Sequence, residues 1–255
     1  MILFFSGTGN SRSAASLLGD RLSESVAELT HIAPSQFKSS GERLIFCFPA
    51  YSWGVPPIVL DFIDRLPEQT VIDLRLSDTP IYMVATCGDE VARAPEMFAR
   101  RLRRRSLSLR GAYSVTMPNN YVLLPGFDVD DAPTEARKLA EAPARIDSIA
   151  EAIAAGRREI DVVRGSWPRL KTTLVYPLFR KYGIRPSLWR ASELCIGCGK
   201  CRDACPAGNI ALDCSSRPVW GPNCLSCTAC YHICPRKAIA YGNITKSKGQ
   251  YHFRN

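Results

Sequence analysis

The chain has 255 residues, 46% of them hydrophobic and 22% charged, and a formal net charge of +9. This length allows one large domain or two ordinary ones, and the composition is that of a globular protein without low-complexity tracts. No apolar run approaches the roughly 18 residues that a membrane-spanning helix needs, so we predict no membrane span. The first residues, MILFF, contain neither a basic segment nor a long apolar segment, and we therefore expect no signal peptide and a cytoplasmic protein.

The chain begins with a predicted strand, a glycine-rich turn and a predicted helix. An apolar run at 1–5 precedes the turn and an amphipathic stretch at 13–22 follows it, an arrangement that directs backbone N–H groups toward an anion. The turn lacks the Lys-Ser/Thr pair of a Walker A site and the G-x-G-x-x-G of a dinucleotide fold. We predict that it binds a phosphate monoester, the alternative being an ordinary glycine-rich βα turn. The residues of this predicted phosphate loop are Ser6, Gly7, Thr8, Gly9, Asn10 and Ser11.

Strand and helix signals alternate from there to about residue 155. Alternating βα units predict the α/β class, with a doubly wound parallel sheet that binds ligands at the carboxyl ends of its strands. Further strands are predicted at 26–30, 44–48, 81–86 and 112–117, and further helices at 58–66, 91–105 and 134–155.

Polar, aromatic and glycine residues follow three of the predicted strands, where a ligand would lie. The rings of Tyr51 and Trp53 are suited to stack on a flat ring system. Gly54 and Gly88 would let backbone amides approach the edge of that ring and tune its redox chemistry. The predicted ring contacts are Pro49, Ala50, Tyr51, Ser52, Trp53, Gly54, Thr86, Cys87, Gly88 and Asn119.

Eight of the eleven cysteines lie in the C-terminal half, in two copies of the spacing C-x2-C-x2-C-x3-C-P. This spacing is typical of bacterial ferredoxins, in which thiolates bind 4Fe–4S clusters. The alternatives are two zinc sites or clusters with a purely structural role, and the duplicated Cys-Pro ending favours ferredoxin-type clusters over zinc. The first copy contains Cys195, Cys198, Cys201 and Cys205, and the second contains Cys224, Cys227, Cys230 and Cys234.

Two stretches of the chain are rich in arginine and lysine. Residues 156–190 contain nine Lys or Arg against two acidic residues, mixed with apolar side chains, and this is too apolar for a free linker. We predict a connector that packs across both halves, although a nucleic acid or a membrane surface also suits this composition. The second stretch, 100–105, is either a solvated helix end or a docking face for an acidic redox partner.

Two regions of the chain resemble known folds. Residues 1–155 resemble the flavodoxin fold, with residues 6–11 as its FMN phosphate loop, and residues 193–241 resemble a two-cluster bacterial ferredoxin. Together they resemble the ferredoxin-fused flavodoxin family. The resemblance implies a five-stranded sheet of order 2-1-3-4-5, a small α+β dicluster domain, and FMN and two 4Fe–4S clusters as cofactors.

The resemblance also implies how the chain is divided and how the clusters are held. The expected parts are a flavodoxin-like domain at 1–156, a connector at 157–192, a ferredoxin-like domain at 193–242 and a tail at 243–255. In two-cluster ferredoxins the fourth cysteine of each motif ligates the other cluster. The implied ligand sets are therefore Cys195, Cys198, Cys201 and Cys234 for one cluster, and Cys224, Cys227, Cys230 and Cys205 for the other.

From these features we expect an iron–sulfur flavoprotein that transfers electrons. Electrons would pass between an external low-potential donor, the clusters and FMN, and then to a redox partner protein or a small acceptor. One alternative is a ferredoxin-dependent flavin reductase, whose own organic substrate would lie among Tyr51, Trp53, Asn119 and Tyr121. A redox-sensing binding protein is a third hypothesis, although the sequence contains no nucleic-acid recognition motif and we expect no nucleic-acid partner. No acid–base or nucleophile constellation stands out, so we predict no catalytic residue.

Overall fold

A computed structural model describes residues 1–38, 42–183 and 185–253. Its larger part is a six-stranded sheet in which every neighbouring pair is parallel. The strands are β1 (Ile2–Phe4), β2 (Val26–Glu28), β3 (Leu44–Pro49), β4 (Ile81–Cys87), β5 (Leu109–Thr116) and β6 (Ile160–Asp161), and their order is β2-β1-β3-β4-β5-β6.

Helices cover both faces of this sheet because successive strand residues point to opposite sides. Leu3 and Phe46 face one core and Ile2 and Ile45 face the other. The first core is covered by α2 (Pro57–Asp64), α3 (Glu68–Leu76) and α4 (Ala94–Arg104), and the second by α1 (Asn10–Leu22) and α5 (Ala132–Ala154).

The predicted α/β class and the strand order 2-1-3-4-5 are confirmed, but the number of strands was wrong. A sixth strand, β6, extends the sheet beyond β5, with Ala112 opposite Ile160 and Tyr113 opposite Asp161. It was missed because it is only two residues long and both are exposed, so it carries no apolar run. This strand lies within the stretch that we assigned to the connector.

A smaller α+β unit follows, built from two antiparallel strand pairs. Its helices are each one turn long and carry motif cysteines, and its core includes Trp189, Ile210, Tyr231 and Ile239. The pairs are β7 (Trp189–Ala191) with β10 (Ile239–Tyr241) and β8 (Ile210–Leu212) with β9 (Pro218–Trp220), and the helices are α6 (Lys200–Asp203) and α7 (Ala229–His232).

A helical run at 168–183, here called the connector helix, joins the sheet to this unit. Its α-helical segments are Pro168–Leu170 and Tyr176–Leu178, and its π-helical segments are Lys171–Val175 and Phe179–Gly183. Within the described residues, no helix is long and apolar enough to cross a membrane. Short 3-10 turns lie at Leu29–His31, Pro34–Gln36 and Pro186–Leu188.

The C-terminal residues fold back onto the predicted phosphate loop. The Tyr251 hydroxyl donates to Oδ1 of Asn10 at 2.6 Å, and the backbone N–H of Phe253 donates to the carbonyl of Thr8 at 2.8 Å. The tail predicted at 243–255 is therefore packed on the sheet domain as far as Phe253. Residues 254 and 255 of that tail, and residue 184 of the predicted connector, lie outside the described residues.

Candidate cofactor and cluster sites

The eight motif cysteines line two separate cavities in the small unit. Each cavity is bordered by the first three cysteines of one motif and by the fourth cysteine of the other, which is the grouping that crossed ligation requires. The first cysteine cavity contains Cys195, Cys198, Cys201 and Cys234, and the second contains Cys205, Cys224, Cys227 and Cys230.

The spacing of these thiols suits a cluster better than a single ion. A zinc ion would need four sulfurs at about 2.3 Å from one point. In the described ranges, no three His, Cys, Asp or Glu side chains converge closely enough to hold one metal ion. A cubane binds each of the four cysteines through a different iron atom. The four cysteine sulfurs therefore lie further apart than they would around a single ion. The donor set therefore fits 4Fe–4S clusters.

Burial makes four of the motif cysteines poor thiolates unless a cation binds them. It raises the pKa of Cys227 to about 12 and the pKa of Cys230 well above its usual value. Burial also raises the pKa of Cys201 and Cys224. At neutral pH such thiols remain protonated, whereas bound iron favours the thiolate by direct charge attraction.

Backbone amides point at the sulfurs on both sides of the unit. Asn209 N–H donates to Sγ of Cys205 at 3.3 Å, and Ala238 N–H donates to Sγ of Cys234 at 3.3 Å. The two contacts are equivalent in the two motifs, since each amide comes four residues after its cysteine. Hydrogen bonds of this kind stabilise the negative charge on a cluster and set its reduction potential.

A pair of tryptophans distinguishes the second cysteine cavity from the first. Trp189 and Trp220 stack with ring centroids 6.2 Å apart and planes 17° apart, and both line the second cavity. The Trp220 Nε1–H is buried without a hydrogen-bond partner in the described structure. Trp220 and Cys230 line the same cavity.

A third cavity, of about 330 Å³, opens at the carboxyl ends of β3, β4 and β5. This volume lies in the range of small-molecule sites, and the position is where parallel α/β sheets bind ligands. We call it the ring cavity. Among its lining residues are eight that the sequence predicted as ring contacts: Pro49, Ala50, Tyr51, Ser52, Trp53, Cys87, Gly88 and Asn119.

Two predicted ring contacts do not line the ring cavity. A Cβ atom on Gly54 would lie 2.4 Å from the ring of Tyr176, so this glycine accommodates the connector helix. The Thr86 hydroxyl shares a 2.7 Å hydrogen bond with the Ser11 hydroxyl instead of facing the cavity. Lining residues that the sequence analysis did not select are Asp89, Glu90, Asn120, Leu124, Phe127, Phe179, Ser226, Cys227 and Thr228.

Three residues that line the ring cavity carry hydroxyls that the protein itself leaves unsatisfied. The hydroxyls of Tyr51, Ser52 and Tyr121 are buried and make no hydrogen bond to any described residue. Burial raises the pKa of Tyr51 well above its ordinary value, so its hydroxyl keeps its proton and can donate. Each unsatisfied group costs about 1–3 kcal/mol. A flat ligand with carbonyl and nitrogen atoms along its edge would recover part of that cost.

The acidic side chains that border the ring cavity are neutralised by lysines. Lys138 is buried and its Nζ lies 2.7 Å from Asp130 and 3.6 Å from Asp89. Lys171 pairs with Glu90, and its Nζ lies 5.2 Å from the centroid of the Trp53 ring. These pairs reduce the charge repulsion that an electron-rich ligand would otherwise meet.

The small unit closes one side of the ring cavity through residues 226–228. Cys227 lines this cavity and also lines the second cysteine cavity. A cofactor in the ring cavity and a cluster in the second cysteine cavity would therefore be separated by the thickness of one residue.

The predicted phosphate loop lies beside the ring cavity rather than in its lining. The Ser6 hydroxyl oxygen accepts from Gly9 N–H at 3.1 Å, and the Thr8 hydroxyl oxygen accepts from the Asn120 side-chain amide. Because both oxygens act as acceptors, both hydroxyls keep a proton that they could donate. The loop contains no acidic residue and precedes α1, which suits an anion. Its polar side chains are buried, however, and Cys227 and Phe253 pack against Gly7 and Gly9, so phosphate binding by this loop stays a prediction.

A histidine that the sequence left unassigned joins the three parts of the site. His232 Nδ1 accepts from Tyr251 N–H at 3.0 Å, which places the ring proton on Nε2, where it donates to the carbonyl of Asn120 at 2.7 Å. Burial lowers the pKa of His232 to about 4, so the ring is neutral at pH 7. This pair of bonds fixes the small unit to the ring-cavity loop and to the C-terminal residues.

Comparisons with known proteins agree with the cysteine geometry. Residues 194–239 match the family model described as 4Fe-4S dicluster domain, and this range includes all eight motif cysteines. The chain carries a dicluster ferredoxin domain. It is also 47% identical over 45 residues to one subunit of the ion-translocating oxidoreductase complex of Methanosarcina acetivorans, a match that covers 18% of this chain and 17% of that protein.

A solved structure is similar to a larger share of the chain. The Trp repressor binding protein from Bacillus subtilis aligns with 58% of this chain and 96% of its own, at 18% identity and a TM-score of 0.37. The flavodoxin-like description of the sheet domain is based on its own strand order and direction, since every pair is parallel and the order begins 2-1-3-4-5.

Proposed function

We propose that this protein is an electron-transfer iron–sulfur flavoprotein, with two 4Fe–4S clusters in the cysteine cavities and FMN in the ring cavity. The observation that carries the proposal is the position of Cys227, which lines both the ring cavity and the second cysteine cavity. A residue in that position gives electrons a short path between two redox centres, through its own covalent bonds and across its contacts.

Bound FMN would supply exchange of electrons singly or in pairs, whereas each cluster exchanges one. The residues of the ring cavity would orient the ring, with Tyr51, Ser52 and Tyr121 as donors or acceptors to its edge. Trp53 and Phe179 would exclude water from its faces. The Ser6 and Thr8 hydroxyls would donate to the phosphate.

The two cysteine cavities differ in their exposure to solvent. This difference supports one direction of electron transfer through the three proposed redox centres. The first lies at the surface, where Cys198 is exposed and Lys200 and Arg236 border the cavity. An external low-potential donor with an acidic face would therefore dock beside it. The second is closed by Trp189 and Trp220 and adjoins the ring cavity. Electrons would pass from the surface site to the inner site and then across Cys227.

The alternative, a flavin reductase with its own organic substrate, is less well supported. Residues 226–228 occupy one side of the ring cavity, and Phe127 and Phe179 lie along another. A cavity of about 330 Å³ accommodates a single ring system and leaves little room for a substrate stacked on it. We therefore assign the final acceptor to a redox partner protein or a small molecule that meets the ring at its edge.

We also propose that the stretch 157–192 is the connector that fixes the geometry between the two halves. The Thr172 hydroxyl donates to the carbonyl of Trp53 at 2.9 Å, and the Tyr176 hydroxyl donates to the carbonyl of Val55 at 2.5 Å. Phe179 on the same helix lines the ring cavity. The connector helix thus supports the loop that carries most of the predicted ring contacts.

Anaerobic stopped-flow reduction of the holoprotein tests this proposal. Dithionite would be added while iron–sulfur and flavin absorption are followed at separate wavelengths. The proteins compared would be wild type, Cys227→Ser and the control Cys214→Ser. Cys214 suits the control because it is exposed and lies outside both cysteine cavities. We expect flavin reduction to follow cluster reduction in wild type and control. In Cys227→Ser, which also removes a ligand of the second cluster, it should slow at least about tenfold with FMN retained, because the inner cluster and its contact with the flavin are lost together. Equal flavin rates in all three proteins would contradict the route.

A further inference from the structure

The connector helix has two apolar faces, of which only one is covered by the protein. Thr172, Tyr176 and Phe179 are buried against the ring-cavity loop. The other face carries a row of large apolar side chains, at spacings of three to four residues, that are about half exposed or more. This row consists of Trp167, Leu170, Leu174, Leu178 and Tyr182.

The geometry of the helix aligns this outer row. In an α-helix with about 3.6 residues per turn, side chains four residues apart are rotated slightly past one another around the axis. The wider i→i+5 turns of the π-helical segments rotate them back, so that the row stays on one face. Leu174 is 52% exposed and Trp167, immediately before the helix, is 76% exposed. A helix that is apolar on both faces is normally buried, and a contiguous exposed apolar row marks a binding surface.

The stretch of chain that carries the row contains only positive charges. Residues 162–192 contain seven Lys or Arg and no Asp or Glu. Arg169, Arg180 and Lys181 are exposed on the connector helix itself, and none of them has an acidic side chain within 4 Å in the described structure.

Helix α4 adds further positive charge beside the connector helix. A groove of about 300 Å³ between α4 and the connector helix is lined by four arginines, with Leu60, Met97 and Pro177 among its apolar residues. Of these arginines, only Arg101 forms an ion pair with a described residue, Asp64. The other three are Arg100, Arg104 and Arg180.

We infer that the outer face of the connector helix binds an anionic membrane surface, with the helix lying in the plane of the lipid headgroups. Apolar side chains with a basic border and an exposed tryptophan are the features of interfacial helices. The cations border the row along its length and on α4, which matches a continuous anionic sheet better than the localised acidic patch of a protein partner. Each basic residue near such a surface contributes about 1 kcal/mol.

This inference goes beyond the proposed electron transfer and does not depend on it. It places the ring cavity next to the bilayer, because the inner face of the same helix carries Phe179 of the cavity lining. A helix is about 10–12 Å across, so a membrane-bound redox partner could approach the cavity to roughly that distance.

Vesicle co-sedimentation of the anaerobically purified holoprotein tests the inference. The vesicles would be phosphatidylcholine alone and phosphatidylcholine mixed with phosphatidylglycerol, each at low and high salt. We expect binding to the mixed vesicles, with weaker binding at high salt and on phosphatidylcholine alone. The double variant Leu174→Gln/Leu178→Gln should bind on the order of tenfold or more weakly, because it replaces two of the five apolar side chains that would enter the lipid.

The control replaces a leucine that is more exposed than these two but lies elsewhere. Leu76 on α3 is 82% exposed, so Leu76→Gln should bind mixed vesicles like wild type. Arg100→Ala/Arg104→Ala should lose part of the binding and part of its salt dependence, while iron content and melting temperature report that each variant is folded. Absence of binding to the mixed vesicles, or equal binding by the double leucine variant, would overturn the inference and would favour an acidic protein as the occupant.

Discussion

Gly7 lies directly against Cys227: a Cβ atom on Gly7 would be only 2.5 Å from the Cys227 carbonyl oxygen and 2.9 Å from its Cβ atom. Gly7 belongs to the predicted phosphate loop of the sheet domain, and Cys227 belongs to the second cysteine cavity. The predicted FMN site and the predicted cluster site therefore meet through backbone contact. Only glycine permits an approach this close at position 7.

Replacing Gly7 with alanine should separate the two sites. The added methyl group must displace the backbone of Cys227, and overpacking of this kind costs about 1–3 kcal/mol. We expect a lower free energy of unfolding by urea and slower electron transfer from the clusters to the flavin.

Gly156→Ala is the matched control, because a Cβ atom there would meet nothing within 4 Å among the described residues. That glycine has φ of +66°, so the control costs about 1 kcal/mol of backbone strain without touching the site. If Gly7→Ala transferred electrons as fast as this control, the backbone contact would have no role in coupling the sites.

Serine variants of the fourth cysteines test crossed ligation. If the cavities hold clusters as proposed, Cys234→Ser should alter or remove the same electron paramagnetic resonance signal as Cys195→Ser. Cys205→Ser should instead share its effect with Cys224→Ser, and each variant should lose about four of eight irons. The exposed Cys214 supplies the control variant, Cys214→Ser. A signal shared by Cys205→Ser and Cys195→Ser would mean that each motif binds its own cluster.

The Trp220 indole N–H should raise the reduction potential of the second cluster. Trp220→Phe keeps an aromatic ring against Trp189 but removes a buried N–H that has no partner in the described structure, in the lining of the cavity that also contains Cys230. We expect the potential of the second cluster to fall, because a donor near sulfur favours the more negative, reduced state. A redox titration followed by electron paramagnetic resonance measures both clusters at once.

The first cluster provides an internal reference for that titration, since its cavity lies on the other side of the unit. Trp167→Phe, at an exposed indole on the connector helix, controls for general effects of losing a tryptophan. Unchanged potentials in Trp220→Phe would show that the indole only fills space.

Two hydroxyls in the ring cavity should affect stability and FMN affinity in opposite directions. Tyr51→Phe and Tyr121→Phe each remove a buried hydroxyl that has no partner in the described structure. The FMN-free protein should therefore be as stable as wild type or more stable. FMN binding, measured by fluorescence quenching, should weaken by about 0.5–1.5 kcal/mol per hydroxyl.

Tyr113→Phe removes a similar unpartnered hydroxyl, but it lies by Gly111 and away from the ring cavity. It should preserve FMN affinity. If all three variants bound FMN equally well, the ring cavity would not be the flavin site.

The sequence predicted the local patterns of this protein better than its long-range contacts. The cysteine spacing indicated a dicluster domain, and alternating strands and helices indicated the parallel sheet, because each of these signals lies within a short stretch of chain. Helix α3 was missed because its buried residues, Thr70, Val71 and Leu74, form a short and weak apolar pattern. Strand β6 was missed because two exposed residues carry no periodicity.

The closed side of the ring cavity could not be predicted from the sequence. Cys227 and Phe179 reach the cavity from parts of the chain that are far from β3 and β4, and only the packing of the small unit brings them there. Gly54 was assigned to the ring edge, but it accommodates the Tyr176 ring of a connector helix that the sequence did not predict as helical. His232 forms no motif, and its role depends on carbonyl and amide groups, which have no sequence signature.

The central claim is that one chain holds two 4Fe–4S clusters and FMN in contact through Cys227. Quantifying iron, acid-labile sulfide and FMN per chain after anaerobic purification tests it most directly. We predict about eight iron, about eight sulfide and about one FMN. Full iron and sulfide without FMN would contradict the flavin assignment of the ring cavity, and zinc in place of iron and sulfide would contradict electron transfer altogether.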